Sequence, residues 1–377
     1  MSEVKQALVL SGGGARAAYQ VGALRHIARV MPEYRPPILT GVSAGAINAV
    51  HLAASPHDFP GAVESLRDFW LSLDTKKVYD TEMRSMLKRI VIWGLRFISG
   101  GRLGQADIRG MVDNAPLRAF LREVLPNRDG RIDGIEQNLA AGVLESLALV
   151  TTSYGSGRSV AWVESLHEAL WEGGQLISRP TQFHIDHIMA SAALPMFFPA
   201  VKLNAVWHGD GGMRLTAPLS PAMHLGATRI LAVSPRARPI QSLPPELREP
   251  YPSPAQIAGV LLNAIFLDML DFDALQMSRI NELVRALPPG TTDYRNVEVM
   301  VLRPREDLGE LAKDHELELP STFRFFEGGL NDRKNRKSDA LSMVIFEPDY
   351  LSLLIRLGEE DAAARSDEIV AFLRGES

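Results

Sequence analysis

Short apolar runs alternate with stretches of helical periodicity along this chain, and no other feature constrains its fold as strongly. The runs are 6–10 (QALVL), 37–42 (PILTGV), 146–154 (SLALVTTSY), 160–164 (VAWVE), 228–234 (TRILAVS) and 296–304 (NVEVMVLRP). Several are apolar on both faces, as strands are when a sheet is covered on both sides. Helical patterns occupy 15–31, 44–54, 60–73, 113–124 and 185–193, and again about 255–287 and 348–374. Strand and helix in alternation predict an α/β fold with a mostly parallel central sheet.

Length and composition remove several function classes. A chain of 377 residues buries a large core, and its 46% hydrophobic and 23% charged residues fit a soluble globular protein. A net charge of −5 gives no basic field for nucleic acid. The absence of cysteine excludes disulfides, thiolate metal sites and a cysteine nucleophile. The N-terminus has too short an apolar run for a secretory signal, and no stretch reaches the ~18 apolar residues of a spanning helix, so a cytoplasmic protein is expected. The proline-rich stretch 234–254 reads as a surface wrap of one domain rather than a joint between two.

The first strand runs into Ser11-Gly12-Gly13-Gly14-Ala15-Arg16-Ala17 and then a helix. Read as Gly12-x-Gly14-x-x-Ala17, this fits a relaxed dinucleotide fingerprint. It fits equally a loop whose bare N–H groups hold an oxyanion, or a structural tight turn. The dinucleotide reading needs an acid at the end of the second strand, and that strand ends in Ser43. Gly41-Val42-Ser43-Ala44-Gly45 is a G-x-S-x-G pentapeptide at a strand-to-helix junction, the geometry that pushes a serine Oγ out of a sheet. The helix behind it aims its N-terminal dipole at developing negative charge, and an esterase reading would take its oxyanion donors from Gly12, Gly13 and Gly14, with the Ala44 N–H as one more.

A base is harder to find. The chain has nine histidines, and none sits in a convincing loop after a late strand. His184 and His187 read as a surface pair at a helix start, without a third metal ligand. Asp210, between glycines after an apolar strand, reads alone as a D-G hairpin turn; beside the two earlier motifs it reads as a carboxylate base for Ser43.

The three motifs in this order resemble the patatin-like phospholipase family in its bacterial form. The family carries G-G-G-x-[RK]-G, G-x-S-x-G and D-G-[GA], matched here by Gly12 to Ala17, Gly41 to Gly45 and Asp210-Gly211-Gly212. The stretch ASAALPMFFPAV at 190–201 also looks like the family's, and the resemblance covers roughly residues 5–235. It implies a three-layer α/β/α sandwich of patatin-like type, with helical insertions at about 75–130. It also implies a Ser43–Asp210 dyad, the glycine loop as oxyanion hole, and hydrolysis of phospholipid or lysophospholipid acyl esters through an acyl-enzyme, without cofactor or metal. The chain departs from the pattern at Ala17, where the family has glycine. If that position needs φ > 0, the methyl group strains the loop, and a non-catalytic lipid-binding protein on the same fold is the alternative. A hydrolase of small esters or acylglycerols with the same dyad is another.

Arg16 reads as an anchor for the loop or as a lure for an anionic headgroup. Residues 83–102 carry five basic residues and no acid. On a helix they form a cationic amphipathic face, suited either to peripheral contact with a membrane or to packing on the domain. Gly94 and the glycines after it are placed to hinge that segment as a lid. The whole chain, 1–377, is expected to be a single domain with a C-terminal extension at about 255–377.

Overall fold

The computed structural model describes residues 4–80, 110–167, 170–237, 269–288, 290–312 and 341–376, with isolated positions between 82 and 100 and between 257 and 264. The cationic segment 83–102, with Gly94, and the proline-rich stretch 234–254 lie largely outside the described residues.

The elements that position the site are β1 (Gln6–Leu10), α1 (Ala18–Val30), β2 (Ile38–Val42), α2 (Ala44–Ala54), α3 (Phe59–Leu71), α4 (Thr75–Val78), α5 (Ala115–Val124), α6 (Asp133–Ala140), β3 (Ser146–Ser153) and β4 (Ser159–Ser165). They are followed by β5 (Glu172–Gly173), β6 (Leu176–Pro180), α7 (Ile185–Ser191), β7 (Val201–Leu203), β8 (Val206–Asp210), α8 (Ser220–His224), β9 (Arg229–Val233), α9 (Met269–Ala286) and β10 (Glu298–Leu302). Then come α10 (Leu308–Leu311), α11 (Pro348–Ala363) and α12 (Ser366–Arg374). The sheet runs β10-β9-β1-β2-β3-β4-β6-β5, with β8 also paired to β3 and β7 to β8. From β10 to β3 every pairing is parallel.

Alternation in the strands separates the layers. Leu8 and Leu10 of β1 join the large core under α1, α2, α3, α11 and α12. Ala7 and Val9 face the opposite way, into a cluster with Leu219, Ala222, Leu270 and Met277 of the α8 and α9 regions. The chain is therefore the three-layer α/β/α sandwich expected of it. The C-terminal region supplies part of two layers. A Cβ on Gly22 of α1 would lie 1.8 Å from the Ile355 carbonyl oxygen, and one on Gly358 of α11 would lie 2.0 Å from that of Tyr19. Only glycine at both crossings lets α11 seat on α1 this closely.

Two differences from the sequence reading have local causes. The first helix starts at Ala18 rather than 15, because residues 14–17 form a tighter 3₁₀ turn leaving the glycine loop. The β7–β8 hairpin was not expected: its turn is Asn204-Ala205, both at positive φ, 45° and 68°, in place of the Asn-Gly that signals such a turn.

Candidate active site

The register of β3 brings the two key side chains together. Val42, the last residue of β2, pairs with Val150 in parallel. Asp210, the last residue of β8, pairs with Thr151 in antiparallel sense. Strands β2 and β8 thus approach head to head along one edge of β3, at adjacent rungs. Ser43 and Asp210, separated by 167 positions in the numbering, meet in the gap between them. The Asp210-Gly211 pair is accordingly not a hairpin turn: Asp210 ends a strand and caps a 3₁₀ turn, its Oδ1 accepting the Gly212 N–H at 2.9 Å.

Ser43 sits on a sharp elbow, with φ 55° and ψ −131°. That is a conformation a non-glycine residue adopts only when its surroundings enforce it. The enforcement is visible. A Cβ at Gly41 would lie 2.6 Å from the Gly45 carbonyl oxygen, and one at Gly45 would lie 2.2 Å from that of Leu10. The Ser43 N–H donates to Ser191 Oγ at 3.0 Å, and Ser191 Oγ donates to the Val150 carbonyl at 2.7 Å. The Asp210 N–H in turn donates to the Ala193 carbonyl at 3.0 Å. The ASAALP stretch therefore ties down both residues.

Asp210 is fully buried. Loss of hydration raises its pKa to about 7, against the lowering effects of the Ser43 hydroxyl and the Gly212 N–H. The hydroxyl stands close enough to be felt, yet short of a well-formed hydrogen bond: Oδ2 has no partner among the described residues. Partial desolvation, and after it the nearby Asp210 charge, raise the pKa of the Tyr154 phenol.

No described histidine hydrogen-bonds Ser43 or Asp210. His208 is held by Thr151 Oγ1 at 2.9 Å, and burial pushes its pKa down to about 4. His187, read from sequence as a surface residue, is buried: its Nδ1 accepts the His184 N–H at 3.0 Å, capping α7. No group of three metal-ligating side chains occurs among the described residues.

The glycine loop leaves the end of β1 beside this elbow, so close that a Cβ on Gly12 would lie 2.9 Å from Ser43 Cβ. Among the described residues the N–H groups of Gly12 and Gly13 donate to nothing, and Ala44 opens α2 with its N–H equally unclaimed. Behind the loop runs a buried polar chain. Gln20 Nε2 donates to the Ser11 carbonyl at 2.8 Å, Asn48 Nδ2 to Gln20 Oε1 at 2.8 Å, and Trp70 Nε1 to Asn48 Oδ1 at 2.7 Å. Arg16 is buried and its Nε donates to Ser342 Oγ at 2.6 Å, so it anchors the loop rather than facing a ligand.

Ala17 does not strain the loop. Its φ is −66°, an ordinary helical value, and its methyl group is part of the core. Ala17→Gly is therefore expected to lower stability by about 1–2 kcal/mol, from the lost methyl burial and the freer unfolded chain. Turnover should stay unchanged. A melting curve beside an ester assay checks this, and a several-fold gain in turnover would show strain after all.

An apolar pocket opens at Ser43. Gly13, Gly14, Ser43 and Ala44 form its polar end, and Ile47, Trp70, Leu117 and Phe198 line its length, with Met343, Val344 and Phe346 from the C-terminal region. No described helix is long and apolar enough to cross a membrane.

The family model described as patatin-like phospholipase matches residues 8–223. Among solved structures, human GIVD cytosolic phospholipase A2 in complex with methyl γ-linolenyl fluorophosphonate is similar over 99% of this chain, at 14% identity and a TM-score of 0.47. This chain spans only 58% of that protein chain. VipD from Legionella pneumophila is similar over 94% of this chain and 67% of its own, at 14% identity and a TM-score of 0.36. The type III effector ExoU matches over 96% and 53%, at 14% identity and a TM-score of 0.29. No curated protein matches the sequence.

Proposed function

Because the chain belongs to the patatin-like phospholipase family, we propose that it is a serine acyl hydrolase that cleaves fatty-acyl esters of phospholipids or lysophospholipids with a Ser43–Asp210 dyad. The observation that carries this reading is the meeting of Ser43 and Asp210 across adjacent rungs of β3, with a partnerless carboxylate oxygen and an apolar pocket at the serine.

Asp210 Oδ2 takes the Ser43 proton as Oγ attacks the ester carbonyl. The tetrahedral oxyanion is received by N–H groups of the glycine loop, Gly12, Gly13 and Gly14, with that of Ala44. Loss of one such donor typically costs on the order of 10²–10³ in rate. The protonated Asp210 then gives its proton to the departing alcohol, leaving the acyl group on Ser43. Water enters, loses a proton to Asp210 and attacks the acyl carbonyl, and Asp210 returns that proton to Ser43 Oγ as the fatty acid departs. A carboxyl group whose pKa lies at about 7 is matched to both halves of this cycle, since it accepts and returns a proton near neutral pH. The apolar pocket receives the acyl tail, which favours lipid over a small polar ester.

Labelling with a fluorophosphonate probe tests the assignment. Wild type should label, Ser43→Ala should not, and Asp210→Asn should label far more slowly; wild type should also release fatty acid from phosphatidylcholine or lysophosphatidylcholine vesicles. A folded wild type that neither labels nor hydrolyses with vesicles present would overturn the reading, as would labelling that survives Ser43→Ala.

A further inference from the structure

We propose that residues 342–346, far beyond the family-matched region, form a chain-length gauge: Met343, Val344 and Phe346 set how long an acyl tail the site accepts. The inference rests on the reading of Ser43 as the point of attack. It concerns a segment of the C-terminal extension whose sequence announces nothing about catalysis.

The segment lies directly against the reacting end of the pocket. A Cβ on Gly14 would fall 2.1 Å from the Met343 carbonyl oxygen, so the two backbones touch. The pocket consequently has walls of two origins. Ile47, Trp70 and Leu117 stand on α2, α3 and α5, while Met343, Val344 and Phe346 line it from the C-terminal region.

That second wall is held in place. Ser342 accepts from Arg16 in the glycine loop at 2.6 Å, and the Tyr79 hydroxyl donates to the Val344 carbonyl at 3.0 Å. Thr75 Oγ1 donates to Glu347 Oε1 at 2.7 Å. Just beyond, α11 is locked on α1 by the Gly22 and Gly358 crossings. The wall is thus fixed relative to the oxyanion donors and so to the ester carbonyl, which a ruler for tail length requires. Two of its side chains stand apart from the main core: Met343 and Val344 form a small cluster of their own, with Leu194 and Phe197 packed on it, whereas Phe346 belongs to the main core.

Each buried methylene is worth about fourfold in binding. In the wild type, kcat/KM should therefore climb by up to about fourfold per methylene along an ester series from butanoate to hexadecanoate, then break where the tail meets the wall. Val344→Phe fills the pocket and should move the break to shorter tails. Phe346→Ala, or Phe346→Leu where the alanine variant fails to fold because Phe346 belongs to the main core, opens it and should move the break to longer ones. The dodecanoate-to-butanoate ratio should change about tenfold or more, in opposite directions for the two variants. Where Val344→Phe fails to fold, Val344→Leu, larger by one methylene, should shift the break in the same sense. The same breaks should appear without turnover when saturated fatty acids are titrated calorimetrically into the Ser43→Ala chain and into the wall variants made on it. Folded variants that keep the wild-type break in both measurements would overturn the gauge. A wild type that hydrolyses no ester, while its fatty-acid profile still shifts with the wall, would sink the hydrolase reading and leave the gauge standing.

Discussion

Asp210→Asn should lower kcat/KM for a soluble short-chain ester by about 10²–10⁴-fold, the span of a positioned general base, and erase the pH dependence of the wild type. The upper end is the better guide, since no described histidine is placed to take over. The wild-type rate follows the ionised fraction of Asp210. Burial raises that group's pKa to about 7, so kcat/KM should rise about tenfold per pH unit up to there and level off above it. A wild-type rate independent of pH between about 5 and 8, or a variant that keeps most of its activity, would remove Asp210 from the base role.

Stability should move the opposite way. In the folded chain the carboxyl keeps its proton up to about pH 7, whereas in the unfolded chain it loses it near about 3.9. Between those values the folded state binds more protons, so the free energy of unfolding falls as pH rises. Above about pH 7 the full cost of a buried charge with no ion-pair partner among the described residues is present. Asp210→Asn removes that charge and should melt higher than wild type at alkaline pH, with a gain that shrinks towards pH 4. A substitution that trades activity for stability in this manner marks a residue held in an unfavourable state for function.

What was legible in the sequence divides along the range of the interactions. The elbow at Ser43, the glycine loop and the Asp210 junction are local backbone problems, solved by residues within a few positions of each other. Short motifs therefore display them. The strands of the parallel half are apolar on both faces, so they too stand out. The short strands β5 to β7 do not, because they are exposed on one side or polar. Strands β5 and β6 do pair across a turn carrying Gly174, but β7 and β8 turn through Asn204-Ala205 without a glycine signal. Nor does the support of the site. Ser191 reaches the Ser43 N–H across 148 positions and Ser342 reaches Arg16 across 326, and no spacing rule connects residues so far apart. Asn48 and Gln20 left a faint trace as amides inside otherwise apolar helical stretches, where an uncompensated polar group is costly. Each is compensated by the other, Asn48 also by Trp70 and Gln20 also by the Ser11 carbonyl. Ala17 misled for a related reason: its conformation depends on where the 3₁₀ turn ends, which the glycine pattern does not specify.

The second large effect is expected at Gly45→Ala, and it separates packing from chemistry. Gly45 lies in the first turn of α2, where that helix rests on the end of β1. A methyl group there would lie 2.2 Å from the Leu10 carbonyl oxygen and 2.6 Å from that of Ser11. Ordinary contact begins near 3.4 Å, and both obstacles are backbone of a central strand, paired on each side by β2 and β9. No side chain can turn aside, so α2 itself must retreat by about 1 Å. Overpacking of this kind costs about 3 kcal/mol or more, and Tm should fall by about 4 °C or more. Because α2 begins at Ser43, the retreat also moves the serine away from Asp210 and the glycine loop. A displacement near 1 Å is worth about 10²-fold in rate. Turnover should therefore fall well below that of Ala17→Gly, even at temperatures where both variants are fully folded. Were Gly45→Ala to melt within about 2 °C of wild type and turn over normally, α2 would not be seated on β1 as described, and the enforced elbow at Ser43 would lose its physical basis.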